Sequence, residues 1–183
     1  LLENSTPLGR AQLEYFLINR GPWSRLDENA VFIPGVPEKP EAGNFYPAGA
    51  TKSDVENWLK GLQGDEQVAA TGFFTTIRLG AAGKFAAVPY SLEYQGELAE
   101  MARYLREAAA ATTQPTLRAF LESRAEAFVS NDYYASDVAW MKLDSSVEPT
   151  IGPYEVYEDE WFNYKAAFEA FITVRDEAET AKL

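Results

Sequence analysis

The densest run of aromatic and acidic side chains in this sequence lies between Thr150 and Arg175. Inside it, Glu155 and Tyr157 stand two residues apart. A carboxylate can hold an ammonium group, and a phenol can donate a hydrogen bond to an oxygen that gains negative charge during a reaction. Side chains alternate along a strand, so an extended stretch here sets Glu155, Tyr157 and Asp159 on one side. Tyr154, Val156 and Glu158 take the other. The expectation is one short strand that presents an acid and a phenol together. Gly152-Pro153, with no N–H on the proline and no backbone preference on the glycine, is expected to break whatever precedes it.

Absences narrow the chemistry more than presences do. The 183 residues contain no histidine and no cysteine. That removes Ser-His and Cys-His nucleophile systems, histidine bases, disulfides, thiolate metal sites and nearly every catalytic zinc site from this stretch of chain. A metal held here would have to be a hard ion among carboxylates. No Asp-x-Asp-x-Asp-Gly loop exists, and Asp159 and Glu160 read as solvated surface rather than a calcium site. The net charge of −12, with scattered Lys and Arg, argues against nucleic acid and against an anionic membrane surface. No apolar run is long enough to span a bilayer. The start, Leu1 to Ser5, has no signal-peptide pattern and no initiator Met, and the end, Asp176 to Leu183, reads as the opening turns of a helix. Both ends suggest a piece of a longer protein, and the cellular compartment (cytoplasmic or periplasmic) stays unassigned.

The elements that must position Glu155 and Tyr157 follow in chain order. Thr6-Pro7 starts a helix with Leu8, Ala11, Tyr15 and Ile18 at helical spacing, and Gly21-Pro22 stops it. Trp23 to Gly49 is rich in proline and reads as an irregular, packed connector anchored by Trp23, Phe32, Phe45 and Tyr46. Thr51 caps a helix with Asp54 as its partner, Val55, Trp58, Leu59 and Leu62 as its apolar face, and Gly61 and Gly64 at its end. Gly72–Leu79 and Lys84–Val88 flank Gly80 to Gly83 as a hairpin. Ser91–Ala111 is a helix with the stripe Tyr94, Leu98, Met101, Leu105 and Ala108. After Thr112–Pro115 a second helix runs to about Ser130, with Asn131 at its C-terminus. The short link makes the two antiparallel neighbours. Asp132–Leu143 reads as a short helix. Lys165–Asp176 fits both periods, and its Phe-Ile-Thr-Val run favours a strand. The sum is an α+β chain, predominantly helical, with an antiparallel helix pair, a short hairpin and a C-terminal strand region.

With these residues in view, the chain resembles the dipeptidyl-peptidase III family of zinc metallopeptidases, and within it the bacterial and plant-type branch. Ile151-Gly-Pro-Tyr-Glu-Val-Tyr-Glu-Asp159 and Tyr164-Lys-Ala-Ala-Phe-Glu-Ala-Phe-Ile172 carry the resemblance. Asn131 to Trp140 and Gly43-Asn-Phe-Tyr-Pro47 are similar to that branch as well. The resemblance implies a bilobal parent, in which one lobe holds zinc through a His-Glu-x-x-Gly-His helix and a following glutamate. The other lobe, helices with a small β-barrel, forms the opposite wall of a cleft. This chain resembles the N-terminal part of that second lobe. It is read as a single domain over 1–183, with helices and the proline-rich connector in 1–64, a hairpin in 72–89, helices in 91–144, and cleft-lining strands in 150–176. By the same resemblance Glu155 binds the α-ammonium group of a peptide and Tyr157 hydrogen-bonds the scissile carbonyl in its tetrahedral state. Glu158 stands where the best-studied branch has an arginine that contacts substrate carbonyls. An ionised glutamate cannot donate there. Asn131 is a further candidate substrate contact, with helix capping as its simpler role.

Some members of this branch are fused to, or labelled as, Nudix hydrolases. That chemistry needs an Arg-Glu followed by closely spaced glutamates to hold Mg²⁺. Here Arg106-Glu107 is followed by four alanines and two threonines, so the motif is absent. Two readings remain open. One is the substrate-binding lobe of a zinc exopeptidase, inactive alone, with zinc and the remaining lobe supplied by the full-length protein. The other is a non-catalytic acidic helical module that binds a peptide or a partner protein.

Overall fold

A computed structural model describes residues 6–80 and 83–182. The readings placed on Leu1–Ser5, on residues 81 and 82 of the hairpin turn, and on Leu183 lie outside the described residues. The chain divides into two compact units, residues 1–41 and 42–183.

In the smaller unit, α1 (Pro7–Asn19) starts where Thr6 accepts a hydrogen bond from the Gly9 amide at 3.1 Å. Proline at the first helical position gives up only a donor that a helix start leaves unpaired. Arg20 closes the helix in the left-handed conformation, φ 55°. The stripe read from spacing is not a buried face, since Leu8 and Ile18 are exposed. Two two-residue strands, β1 (Trp23–Ser24) and β2 (Ala30–Val31), pair antiparallel. The Tyr15 and Phe32 rings meet edge-on at 4.9 Å.

The larger unit opens on α2 (Lys52–Lys60), where Thr51 and Asp54 form the expected capping box. Gly61 ends this helix, but Gly64 begins another, α3 (Gly64–Thr71). The hairpin is β3 (Thr75–Leu79) with β4 (Phe85–Pro89), paired from Thr75↔Pro89 to Leu79↔Phe85. The expected Ser91–Ala111 helix is two pieces, α4 (Tyr90–Glu93) and α5 (Gln95–Ala111), joined through Tyr94 at φ −112°. The Tyr94 ring packs on Tyr90 and Phe168. Its buried stripe is Leu98, Ala102, Leu105 and Ala109. Next, α6 (Pro115–Ser130) lies against α5, its Arg118 donating to the Ala109 and Thr112 carbonyls. A short helix α7 (Tyr134–Met141) follows. The chain then forms a ribbon of β5 (Val147–Glu155) and β6 (Ala167–Val174), and a last turn α8 (Glu177–Thr180). The fold is α+β, with small antiparallel strand pairs set against helices.

One sequence expectation fails inside β5. Gly152-Pro153 does not break the chain, because Gly152 pairs with Glu169 and Pro153 with Phe168 within the ribbon. A two-stranded ribbon leaves one edge of β5 without a partner strand, so prolines 149 and 153 can sit there without removing a ladder donor. Gly152 has a separate reason. It sits at φ +152°, and a Cβ there would lie 2.5 Å from Nη1 of Arg124. The Arg124 side chain is fully buried and pairs with Asp137 at 2.6 Å. Its guanidinium lies 5.3–5.4 Å from the ring centres of Phe120, Tyr133 and Tyr154. Nε and Nη1 have no hydrogen-bond partner among the described residues, so the ring faces are what these atoms meet. Adding one methyl group at Gly152 forces the guanidinium from this cage. Gly152→Ala is expected to destabilise the protein by about 1–3 kcal/mol, read as a lower urea midpoint at unchanged m-value.

Candidate functional site

Glu155 is the last residue of β5 and is exposed. Its direction comes from a bulge. Pro153 pairs with Phe168 and Glu155 with Ala167, so Tyr154 is an extra residue on β5. Residues opposite one another share a face, and alternation puts Ala167 and Glu169 on the same one. The bulge therefore turns Glu155 to the Glu169 face, which an unbulged strand would deny it. Burial, and then the Glu155 charge, push the Glu169 carboxyl above the usual glutamate value. Two carboxylates thus share one face of the ribbon. Glu169 gave no signal in the sequence, because the bulge that aligns it with Glu155 is invisible there.

The strand expected through Asp159 stops at Glu155. Tyr157 and Glu158 are instead the central residues of a β-turn closed by the Asp159 amide donating to the Val156 carbonyl at 3.1 Å. Tyr157 is 61% exposed, so its phenol stands in solvent rather than in the core. Glu158 is half-buried, and its carbonyl lies 3.4 Å from where a Cβ on Gly43 would be. The Gly43–Pro47 segment, singled out in the sequence, thus backs this turn.

Asp159 is the main correction. Read as solvated, it is 0% exposed. Its Oδ2 accepts from the Tyr46 hydroxyl at 2.8 Å, the Tyr164 amide at 2.8 Å and the Lys165 amide at 3.2 Å. Its Oδ1 accepts from the Trp161 and Phe162 amides at 3.3 and 3.4 Å. The local part of this pattern is an aspartate that takes amides two and three residues on, as turn aspartates do. That much was readable. The phenol of Tyr46, distant in sequence, was not. Burial, then the hydrogen bond to Asp159, push the Tyr46 hydroxyl far above its ordinary value.

Lys165 closes the other end of the loop. It too is 0% exposed, and its Nζ donates to the carbonyls of Ala70 and Gly72 at 2.7 and 3.0 Å and to Thr75 Oγ1 at 2.8 Å. These are the carbonyls that a helix C-terminus leaves unpaired, and a cation also suits the negative end of the α3 dipole. Asn131, by contrast, is tied into the scaffold. It ends α6 at φ 66°, donates to the Phe74 carbonyl at 3.1 Å, and accepts from the Ser91 amide at 3.2 Å. Its amide joins α6, the residue before β3, and α4. Among the described residues no three His, Cys, Asp or Glu side chains are grouped to hold a metal.

The sequence pattern described as "Peptidase family M49" matches residues 82–183. The chain belongs to peptidase family M49. Among solved structures, this M49 chain is similar to dipeptidyl-peptidase III from Corallococcus sp. strain EGB, at 72% identity and TM-score 0.91, over 100% of this chain and 34% of that one. It is similar to DPP III from Caldithrix abyssi at 50% identity and TM-score 0.85, over 99% of this chain and 34% of that one. A curated relative, Nudix hydrolase 3 of Arabidopsis thaliana, is 38% identical over 227 aligned positions, 98% of this chain and 29% of that protein. The M49 chain therefore spans about a third of the proteins it matches.

Burial draws the Lys165 ammonium down to about 8, against the pull of Asp159. The folded value lies below that of an unfolded lysine, near about 10.4. Between the two the native state binds fewer protons than the unfolded state, so this group makes stability rise with pH across that window. Lys165→Met is expected to cost about 1–3 kcal/mol at neutral pH by leaving buried acceptors unpaired. The wild-type advantage should widen from about pH 8 to about pH 10, as measured by denaturant titrations of both proteins.

Proposed function

We propose that this M49 chain is the peptide-binding part of a zinc-dependent dipeptidyl peptidase, which removes short units from peptide N-termini. The reading rests on the exposure of Tyr157 on a hydrogen-bonded turn directly after Glu155. In this reading Glu155 receives the α-ammonium group of the peptide, and Glu169 on the same face adds a second negative charge. The Tyr157 phenol donates to the scissile carbonyl oxygen as that oxygen becomes an oxyanion. Glu158, beside it, offers the peptide backbone an acceptor rather than a donor.

The residues of this chain do not fit a zinc site, since the sequence has neither histidine nor cysteine and no metal-holding group is found among the described residues. In the proposal zinc and the attacking water belong to the remaining lobe of the same polypeptide. This lobe binds and orients.

In the full-length protein, Tyr157→Phe is expected to lower kcat on a dipeptidyl naphthylamide by about 10²–10³-fold. Glu155→Gln should act chiefly on KM, because the ammonium group is held equally before and during the reaction. Unchanged turnover in Tyr157→Phe would remove the catalytic reading and leave a peptide-binding module.

A further inference from the structure

The turn that carries Tyr157 belongs to no helix or strand. It is a single hydrogen-bonded turn, Val156 to Asp159, followed by irregular chain to Lys165. The Ala42 amide donates to Glu160 Oε2 at 3.4 Å, and the last turn residue, Asp159, makes most of the remaining bonds within the loop. The Asp159 carboxylate gathers four backbone amides, of Trp161, Phe162, Tyr164 and Lys165, around one buried point. The Tyr46 hydroxyl attaches that point to the scaffold at 2.8 Å. Tyr46 is itself fixed. The neighbouring Phe45 carbonyl accepts from the Ile77 amide in β3 at 2.8 Å, and the Tyr46 ring packs on Trp161 at 4.9 Å and Phe162 at 5.8 Å. Beyond the loop, the Ala166 amide donates to the Phe73 carbonyl at 2.9 Å, and the Tyr90 hydroxyl donates to the Ala166 carbonyl at 2.8 Å. A hydrogen bond to a carboxylate is about twice as strong as one between neutral groups, so the five donors on Asp159 make a strong tie for this loop.

We propose that Asp159 is a positioning residue for Tyr157: its buried carboxylate, locked to Tyr46, clamps residues 156–165 and fixes the phenol against the peptide carbonyl. The inference rests on the peptidase reading above. It adds to that reading a residue that never touches substrate. A displacement of about 1 Å at a reacting group costs up to about 10²-fold in rate, which sets the size of effect to expect.

Asp159→Asn risks misfolding, since an amide cannot accept on both atoms. Tyr46→Phe removes one hydroxyl and keeps the ring. The test uses full-length protein as wild type, Tyr46→Phe, Tyr157→Phe and the double variant, with two readouts. Hydrogen exchange at the amides of residues 161–165 reads the clamp whatever the turnover is. Exchange should quicken about tenfold in Tyr46→Phe, the weight of one hydrogen bond to a charged acceptor. Steady-state kinetics on a dipeptidyl naphthylamide reads the role. Tyr46→Phe should lower kcat by about ten- to a hundredfold with KM within about twofold. In the Tyr157→Phe background it should change kcat by less than about twofold, because a clamp that acts through the phenol has nothing left to act on. Unchanged exchange, or kcat losses that multiply in the double variant, would overturn the proposal even if Tyr157 proves essential. If Tyr157→Phe costs nothing, the peptidase role of the site falls, and with it the role of the clamp, although exchange would still show the clamp itself.

Discussion

Two charges kept from water hold together the end of this fold that carries Glu155 and Tyr157. Asp159 and Lys165 are both 0% exposed and lie six residues apart on one loop. Burying an ion costs several kcal/mol even after relaxation, so neither position persists unless its hydrogen bonds are supplied. Here they are. The carboxylate has five donors and the ammonium three acceptors. Neighbouring opposite charges also limit the electrostatic cost of each. The partners come from four regions: the connector at Tyr46, the end of α3, the start of β3, and the loop itself. Loss of either charge would leave several buried groups without partners at once, and these regions would lose their common point.

Arg124 is a third buried charge, met by different means. One carboxylate and three aromatic faces surround it. A guanidinium is weakly hydrated and planar, so ring faces suit it better than they would an ammonium. The cage presses on β5 at Gly152, three residues before Glu155. The ribbon is thus fastened from both sides of its Glu155 tip, by the aromatic cage before it and by the aspartate cluster after it.

Much of the scaffold was legible because its signals are local. Thr51 and Asp54 named a capping box, Thr112 to Pro115 named the turn between two antiparallel helices, Asn131 named a helix C-terminus, and Phe171 to Val174 named a strand. Where the reading failed, the cause lies outside the local window. Gly64 was taken as an end and is a beginning, since glycine at a positive φ serves either side of a helix boundary. Gly152-Pro153 was taken as a break, but the free ribbon edge accepts the prolines and the Arg124 cage requires the glycine. Asp159 was taken as surface because its decisive partner is 113 positions away. The candidate site residues Glu155 and Tyr157 were named from their types and from a family likeness. Their presentation, on a bulge and a turn rather than one straight strand, came only from the structure.

The extra residue at Tyr154 makes the direction of Glu155 a matter of parity. Side chains in this ribbon can be exchanged for others without altering which way the glutamate looks. Register decides it: were Tyr154 to take the place opposite Ala167, the ladder would run without a bulge and the Glu155 carboxylate would turn to the far side, away from Glu169. The one unpaired position, Tyr154, is thus what keeps two like charges on a single face of the ribbon.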